Sequence, residues 1–353
     1  QKMLEQIYNF LIRIFSYEDT IVFSFLMISI LVFASLFGSV LSVFIISAVT
    51  AYLLVGLQKN IQKYNLSEFQ ALLITYMLFL ITGILILVIL IPILSQQLQL
   101  FIQDAPRLIN GLVDFIVSIP ASYPDLISSD QISSFFESFS SELTSITQNI
   151  VQGSLSGIQS TIEILIYIIL FPILVYFFLF DRKEILDGLV KAIPGKTEML
   201  SKVWIEMDVQ LSNYVRGKAL EIVIVAVASA LIFTIFGLKY TALLAVLVGF
   251  SVLIPYIGAF LVTIPIAIVG FLQFGMSIEF GILMGLYLIL QFIDGNLLVP
   301  IIFSSAVKLH PVVIILAVFI FGNMFGFWGV FFAIPIATFI KAVWNAWPSQ
   351  FES

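Results

Sequence analysis

Residues 20–57 are almost free of charged side chains, and apolar runs of the same kind recur along the chain. A helix needs about 20 apolar residues to cross the hydrocarbon of a bilayer, so this run is long enough for two crossings. It is far too long for a signal-peptide core. Lipid is therefore the solvent for most of the chain. Composition agrees: 61% of the 353 residues are hydrophobic and 10% are charged, where soluble domains carry about 45–50% and about 25%. Mean hydropathy is +1.15. There are too few polar side chains to cover a water-facing exterior.

The same composition excludes several chemistries. With no cysteine there are no disulfides, thiolate metal sites or thiol nucleophiles. One histidine leaves no multi-histidine metal site, so no metal ligand set is assigned. The net charge is −6 and the basic residues form no nucleic-acid patch. No Walker loop, dinucleotide fingerprint or nucleophile elbow occurs in a fitting context. No cofactor, catalytic residue or enzymatic activity is expected.

Walking the chain predicts an all-α polytopic membrane protein with about eight transmembrane or re-entrant helices. Residues 1–94 hold three spans (20–37, 39–57 and 69–94). Residues 95–150 are acidic, with apolar positions at Leu98, Ile102, Ala105, Ile109, Leu112 and Ile116, then at Ile132, Phe136, Phe139, Leu143, Ile146 and Ile150. Spacings of four and three put each set on one helix face. Pro120 and Pro124 separate them, which reads as an external amphipathic hairpin. Its seams either bury each other or pair between subunits, and with the Gly-x-x-x-Gly pairs they point to a homo-oligomer. Residues 151–180 form span four. The basic stretch 181–219 reads as a cytoplasmic amphipathic segment at the lipid headgroups. Residues 220–341 form a core of broken helices, and 342–353 a cytoplasmic tail behind the Trp344/Trp347 anchor.

Orientation follows from Lys and Arg. An even number of crossings places Lys2, Arg13, Lys59, Lys63, the seven basic residues of 182–218 and Lys341 on one side. Arg107, Lys239 and Lys308 fall on the other. Twelve of the 15 thus mark the cytoplasm, with both termini inside and 95–150 outside. Hydropathy does not separate crossings from re-entrant segments in 241–310.

Chemistry in lipid is expected where helices break, because free carbonyls there need protein, water or an ion as partner. Pro255, Gly258 and Pro265 interrupt one apolar run, and Asp294-Gly295-Asn296 through Pro300, with Pro311 beyond, mark a second break. Asp294 is the leading ion-coupling candidate, because an unpaired carboxylate at depth is costly and takes a proton or cation. The plain alternative is that it caps the next segment at a water interface. Asn296 stands beside it. Glu163, Glu221 and His310 are weaker candidates near predicted span ends. Gly281 and Gly285, and Gly322, Gly326 and Gly329, are spaced for close helix packing.

The segments Asn213-Tyr214-Val215-Arg216-Gly217-Lys218, Phe236-Gly237-Leu238-Lys239-Tyr240, Ser251 through Pro265, Asp294 through Pro300, Leu309-His310-Pro311 and Phe325 through Pro335 follow one another in a familiar order. In them the chain resembles the AI-2 exporter family of permeases, and its PerM-like branch most. The match is specific over about 200–345 and looser before it. In that family Glu is commoner than Asp at the position of Asp294, so the carboxylate is kept with a shorter reach. The resemblance implies a multi-span, oligomeric protein of the bacterial inner membrane. Family members are associated with export of the signal AI-2, others with exchange of sodium or lithium for protons. The expected function is thus a permease moving a small polar solute or signal without ATP hydrolysis. A Na+(Li+)/H+ antiporter is the second reading, and an oligomeric scaffold binding an envelope partner a third. Partners implied are lipids, a small solute or ion (H+ or Na+), and further copies of the chain.

Overall fold

The computed structural model describes residues 25, 42–122, 157–192, 198–255, 257–303 and 309–346. Apart from Phe25, the first expected span (20–37), with the second external seam (132–150) and Trp347, lies outside the described residues. The protein is an all-α polytopic membrane protein. Among the described residues six helices are long and apolar enough to cross a bilayer, with shorter apolar helices beside them and no strand.

In chain order the helices are α1 (Ser42–Gln62), α2 (Glu68–Leu85), α3 (Ile91–Ser122), α4 (Gly157–Phe180), α5 (Arg182–Ala192), α6 (Glu198–Ile235), α7 (Thr241–Ser251), α8 (Ile257–Phe274), α9 (Ile278–Ile293), α10 (Val299–Phe303) and α11 (Pro311–Ala346). A reciprocal cap starts α2: the Ser67 hydroxyl accepts from Gln70 N at 3.2 Å, and Gln70 Oε1 from Ser67 N at 3.1 Å. Apolar side chains line the outside of α2, where lipid and not water is the neighbour.

Two π-helical turns, Ile86–Leu90 and Asp294–Leu298, join α2 to α3 and α9 to α10. Each is followed, after one residue, by a proline: Pro92 and Pro300. The reason is steric. Proline offers no N–H and its ring pushes the carbonyl four residues back. Widening the turn lets the preceding residue bond five back instead, as Ile91 N–H does to Ile86 O and Val299 N–H to Asp294 O. The break expected between Asp294 and Pro300 is therefore a widened turn within one helical run from Ile278 to Phe303.

Two other interruptions are true reversals. After α7 the chain turns through Val252–Pro255, and a Cβ on Gly258 would sit 1.8 Å from Ser251 O. Only glycine lets α8 start that close to the end of α7. The last apolar run of the expected 220–341 core is likewise two limbs. Gly326 has φ 58°, ψ −137°, a conformation reserved for glycine. A Cβ on Gly329 would lie 1.7 Å from Phe321 O. In a continuous helix residues eight apart are about 12 Å distant, so α11 folds back on itself at Gly326.

The described residues fall into two compact units, one within 1–81, 166–216 and 305–353, the other within 82–165 and 217–304. The first has a core of Ala51, Val55, Leu72, Val175 and Leu179. The core of the second includes Leu244, Val248 and Val252 of the α7 limb and Val262, Ile266 and Val269 of α8. Because α8 starts against the end of α7, with Gly258 resting on Ser251 O, the two limbs run antiparallel. In that unit α3 presents Leu94, Phe101 and Leu108 to the core. On the same face Gln97 accepts from Leu243 N at 2.9 Å, and Asp104 accepts from the Tyr240 hydroxyl. This face is one residue off the expected seam, of which Leu98 is exposed and Ile102, Ala105, Ile109 and Leu112 are half-buried. Polar side chains that hold the α6–α7 connection belong to the buried face, and apolar periodicity does not register them.

The boundary expected at 219/220 also falls inside an element. α6 is one helix of 38 residues, about 57 Å long at 1.5 Å per residue.

Candidate functional site

Lys218 and Glu221 are three residues apart on α6 and so share a face. Both are buried, at 5% and 1% exposure, and so is Asp294 at 8%. The Lys218 ammonium donates to Glu221 Oε1 at 3.1 Å and lies 2.9 Å from Oε2. It also donates to Val252 O at 2.9 Å, just beyond the end of α7. That carbonyl has proline at i+3, which offers no N–H, so Lys218 supplies a donor the broken helix lacks. The third side of the ammonium faces the Phe303 ring, 5.4 Å from its centroid.

Two glycines let this region close. A Cβ on Gly217 would meet Ile302 Cγ2 at 2.5 Å and Phe303 Cε1 at 2.7 Å, and one on Gly249 would meet Ile222 O at 2.8 Å. Without side chains there, α10 and α7 approach α6 on either side of the Lys218–Glu221 pair. Asp294 opens the π-turn after α9 and lies within electrostatic reach of both Lys218 and Glu221. Its Oδ1 is buried and has no hydrogen-bond partner among the described residues. Two carboxylates thus lie near one ammonium, which pairs with Glu221 alone, in an apolar setting. Fully ionised, the cluster carries one excess negative charge, which a proton or a small cation neutralises.

The other expected residues lie elsewhere. Asn296 is exposed and turns back on its own helix, donating to Phe292 O at 2.9 Å. His310 is exposed and starts α11: its Nδ1 accepts from Val312 N at 3.3 Å and its carbonyl from Val313 N at 2.9 Å. Glu163 falls within α4, with its side chain outside the described residues. Pro255 and Gly258 form the tip that Lys218 holds. Pro265 stands inside α8, Pro300 follows the π-turn, and Pro311 is the first residue of α11. A Cβ on Gly281 or Gly285 would meet no heavy atom within 4 Å, so no described neighbour uses them for close packing. Gly322 packs against Val330, where a Cβ would meet Cγ2 at 2.9 Å; Gly326 and Gly329 shape the reversal.

Sequence reasoning placed Lys218 in the basic surface stretch. The signal that sets it apart is its company: Ala219, Leu220 and the apolar run after Glu221 leave the pair no polar neighbour on its C-terminal side. A second missed signal is an internal likeness between the two reversals. Tyr256-Ile257-Gly258-Ala259-Phe260, followed by Ile264-Pro265-Ile266-Ala267, matches Phe327-Trp328-Gly329-Val330-Phe331 followed by Ile334-Pro335-Ile336-Ala337. Both glycines are the ones that rest on a carbonyl of the opposite limb.

An all-α chain with apolar spans and an ionic cluster buried within them has the make-up of an integral membrane transport protein. Comparison with known proteins agrees. Residues 4–349 match the model of the AI-2E family transporters, and the chain belongs to that family. It is 42% identical over 348 residues to the Escherichia coli K12 protein named "Putative permease PerM", covering 98% of each chain. It is 31% identical over 173 residues to the Bacillus subtilis protein named "Putative transport protein YueF", covering 48% of this chain and 46% of that one. It is thus a multi-pass membrane protein of a bacterial permease family.

Proposed function

We propose that the protein is a secondary permease of the bacterial inner membrane, moving a small polar solute or signal molecule without ATP hydrolysis. The observation that carries the reading is the Lys218–Glu221–Asp294 cluster. Ionisable groups at membrane depth are costly and mark ion or proton pathways. Here the lysine satisfies one carboxylate and ties down the α7–α8 tip, while Asp294 keeps an oxygen without a donor. Asp294 takes up a proton or cation, and the charge so gained or lost changes how strongly Lys218 holds Glu221 and the tip.

The topology we propose has six crossings and two re-entrant hairpins, both termini being cytoplasmic. One limb of each hairpin is too short to cross. At 1.5 Å per residue the 11-residue α7 reaches about 16 Å, and the limb of α11 before Gly326 about 22 Å, against a hydrocarbon core of about 30 Å. Each hairpin then returns to the side it left. Lys308 moves to the cytoplasmic side with Lys341, and Arg107 and Lys239 alone remain outside, which sharpens the charge asymmetry. The half-exposed seam on α3 supports a homo-oligomer, which mass measurement in mild detergent checks.

The deciding experiment is a flux assay in proteoliposomes with imposed proton, sodium and AI-2 gradients. Solute movement that depends on the protein and stops without a gradient is expected. A second reading, cation/proton antiport, draws on the same unpartnered Asp294 oxygen beside π-turn carbonyls, an oxygen set suited to hard cations. Sodium/proton exchange with no movement of AI-2 would favour it. Silence under every gradient would overturn both and leave the scaffold.

A further inference from the structure

The unit within 1–81, 166–216 and 305–353 holds two adjoining cavities that the transport reading does not use. One, of about 410 Å³, is lined by α1, α4, α5 and α6; its walls include Ala48, Val55, Phe178, Leu186, Trp204 and Leu211, and they are mainly apolar. The other, of about 570 Å³, shares Val55, Arg182 and Leu186 with the first and adds to its apolar walls a group of polar and charged side chains, Lys59 and Lys183 among them. An apolar slot that opens into a basic one at Arg182 has the shape of an amphiphile: tail in the first, anionic head in the second.

The charges fit that assignment. Lys183 is engaged by Glu68 at 3.2 Å, and Asp208 in the apolar slot is engaged by the Tyr52 hydroxyl at 2.6 Å. Lys59 and Arg182 have no ion-pair partner among the described residues, and of the two lining carboxylates Glu68 is engaged by Lys183, which leaves Glu184. The depth fits as well. The charged cavity is lined by the last turns of α1 and α4, at their span ends, while the slot runs deeper along α1 to Ala48; Trp204 is 56% exposed, as suits an aromatic at the membrane–water boundary. Basic pockets between span ends on the cytoplasmic side take anionic headgroups.

We propose that this is a binding site for one anionic phospholipid, with its phosphate between Arg182 and Lys59 and an acyl chain in the slot against Leu211 and Phe178. Any lipid-facing groove meets acyl chains; the claim here is selection of an anionic headgroup.

Native mass spectrometry of the full-length protein, titrated with phosphatidylglycerol and with phosphatidylcholine of the same chains, tests it. Phosphatidylglycerol adducts should form at lower concentration and survive higher collision energy. Arg182→Gln and Lys59→Gln should each weaken them about fivefold, the weight of one basic residue near a lipid surface. Lys63→Gln, whose ammonium instead binds Asn60 Oδ1, should change nothing. Ala48→Phe, at the rim of the slot, should weaken both lipids by obstructing the tail. Equal binding of the two lipids, or unchanged phosphatidylglycerol binding in both charge variants, overturns the site. Displacement of the lipid by millimolar inorganic phosphate would assign the charges to a free anion and overturn the lipid. Undiminished binding by Ala48→Phe would overturn the placement of the chain.

Discussion

Two Lys–Glu pairs of the same chemistry sit in opposite environments. Lys183 and Glu68 meet at 3.2 Å with side chains 81% and 65% exposed. Lys218 and Glu221 meet at 2.9 Å with 7% and 2% exposed. Distance alone makes them look equivalent; solvent makes them opposites. Water and salt screen the first pair, which is worth about 0.2–1 kcal/mol. The second has given up hydration on both sides, and a buried pair contributes little net stability while making either partner indispensable to the other. The first pair can be lost with little consequence; the second is a commitment, and it is the one beside a carboxylate that lacks a partner.

The largest effect separating them should come from Lys218→Met. It strands Glu221 and the Val252 carbonyl, and should cost about 3–5 kcal/mol, read as a fall in unfolding temperature in detergent. A loss below about 1 kcal/mol, the range of an exposed pair, would mean that water reaches Glu221 and the contrast between the pairs fails. Next is Gly217→Ala, which pushes Ile302 and Phe303 off the cluster. Overpacking of this kind costs about 1–3 kcal/mol, and in the same assay an unchanged midpoint would show that α10 does not seal the cluster.

Tyr240→Phe, away from both pairs, should cost about 0.5–1.5 kcal/mol at neutral pH by removing one hydrogen bond. Burial, then the bond to Asp104, pushes the Tyr240 hydroxyl up to about 12. Because the folded value lies above the ordinary 10.0, this stabilisation is complete below about pH 10 and disappears as pH rises through about 12. Wild type and Tyr240→Phe should therefore converge across that interval, and parallel stability curves there would count against the Asp104 bond. Lys183→Met should cost at most about 1 kcal/mol, and less in high salt. Asp294→Asn should leave the unfolding midpoint nearly unchanged, since it removes the excess charge and keeps the shape. Flux of the same variant should lose its dependence on pH, while Asp294→Glu retains it. Equal pH dependence in all three proteins would remove Asp294 from the mechanism.

How much of this was legible beforehand differs from residue to residue. The spans, the all-α class and the family follow from apolar runs and ordered motifs. Asp294 and Glu221 stand out because a carboxylate in an apolar run is costly whatever surrounds it. Lys218 did not stand out, because a run of basic residues before it invites a surface reading. The interruption at Asp294–Pro300 was legible as a proline problem, but whether the helix breaks or widens depends on a backbone bond to Asp294 O. At Gly326 the sequence shows only a glycine among glycines, and the positive φ that reverses the chain follows from Gly329 resting on Phe321 O.

By itself, then, the sequence determined the solvent, the helices and the inventory of costly groups, because hydropathy and backbone chemistry act over one or two turns. Tertiary structure alone decided which groups meet. Lys218 reaches Val252, 34 residues away, and α3 turns a face carrying Gln97 and Asp104 inward where the neighbouring face is the more apolar. Such pairings depend on where a turn widens or reverses. A shift of one residue rotates every later side chain by about 100° around its helix, and no local pattern carries that sum across several turns and reversals.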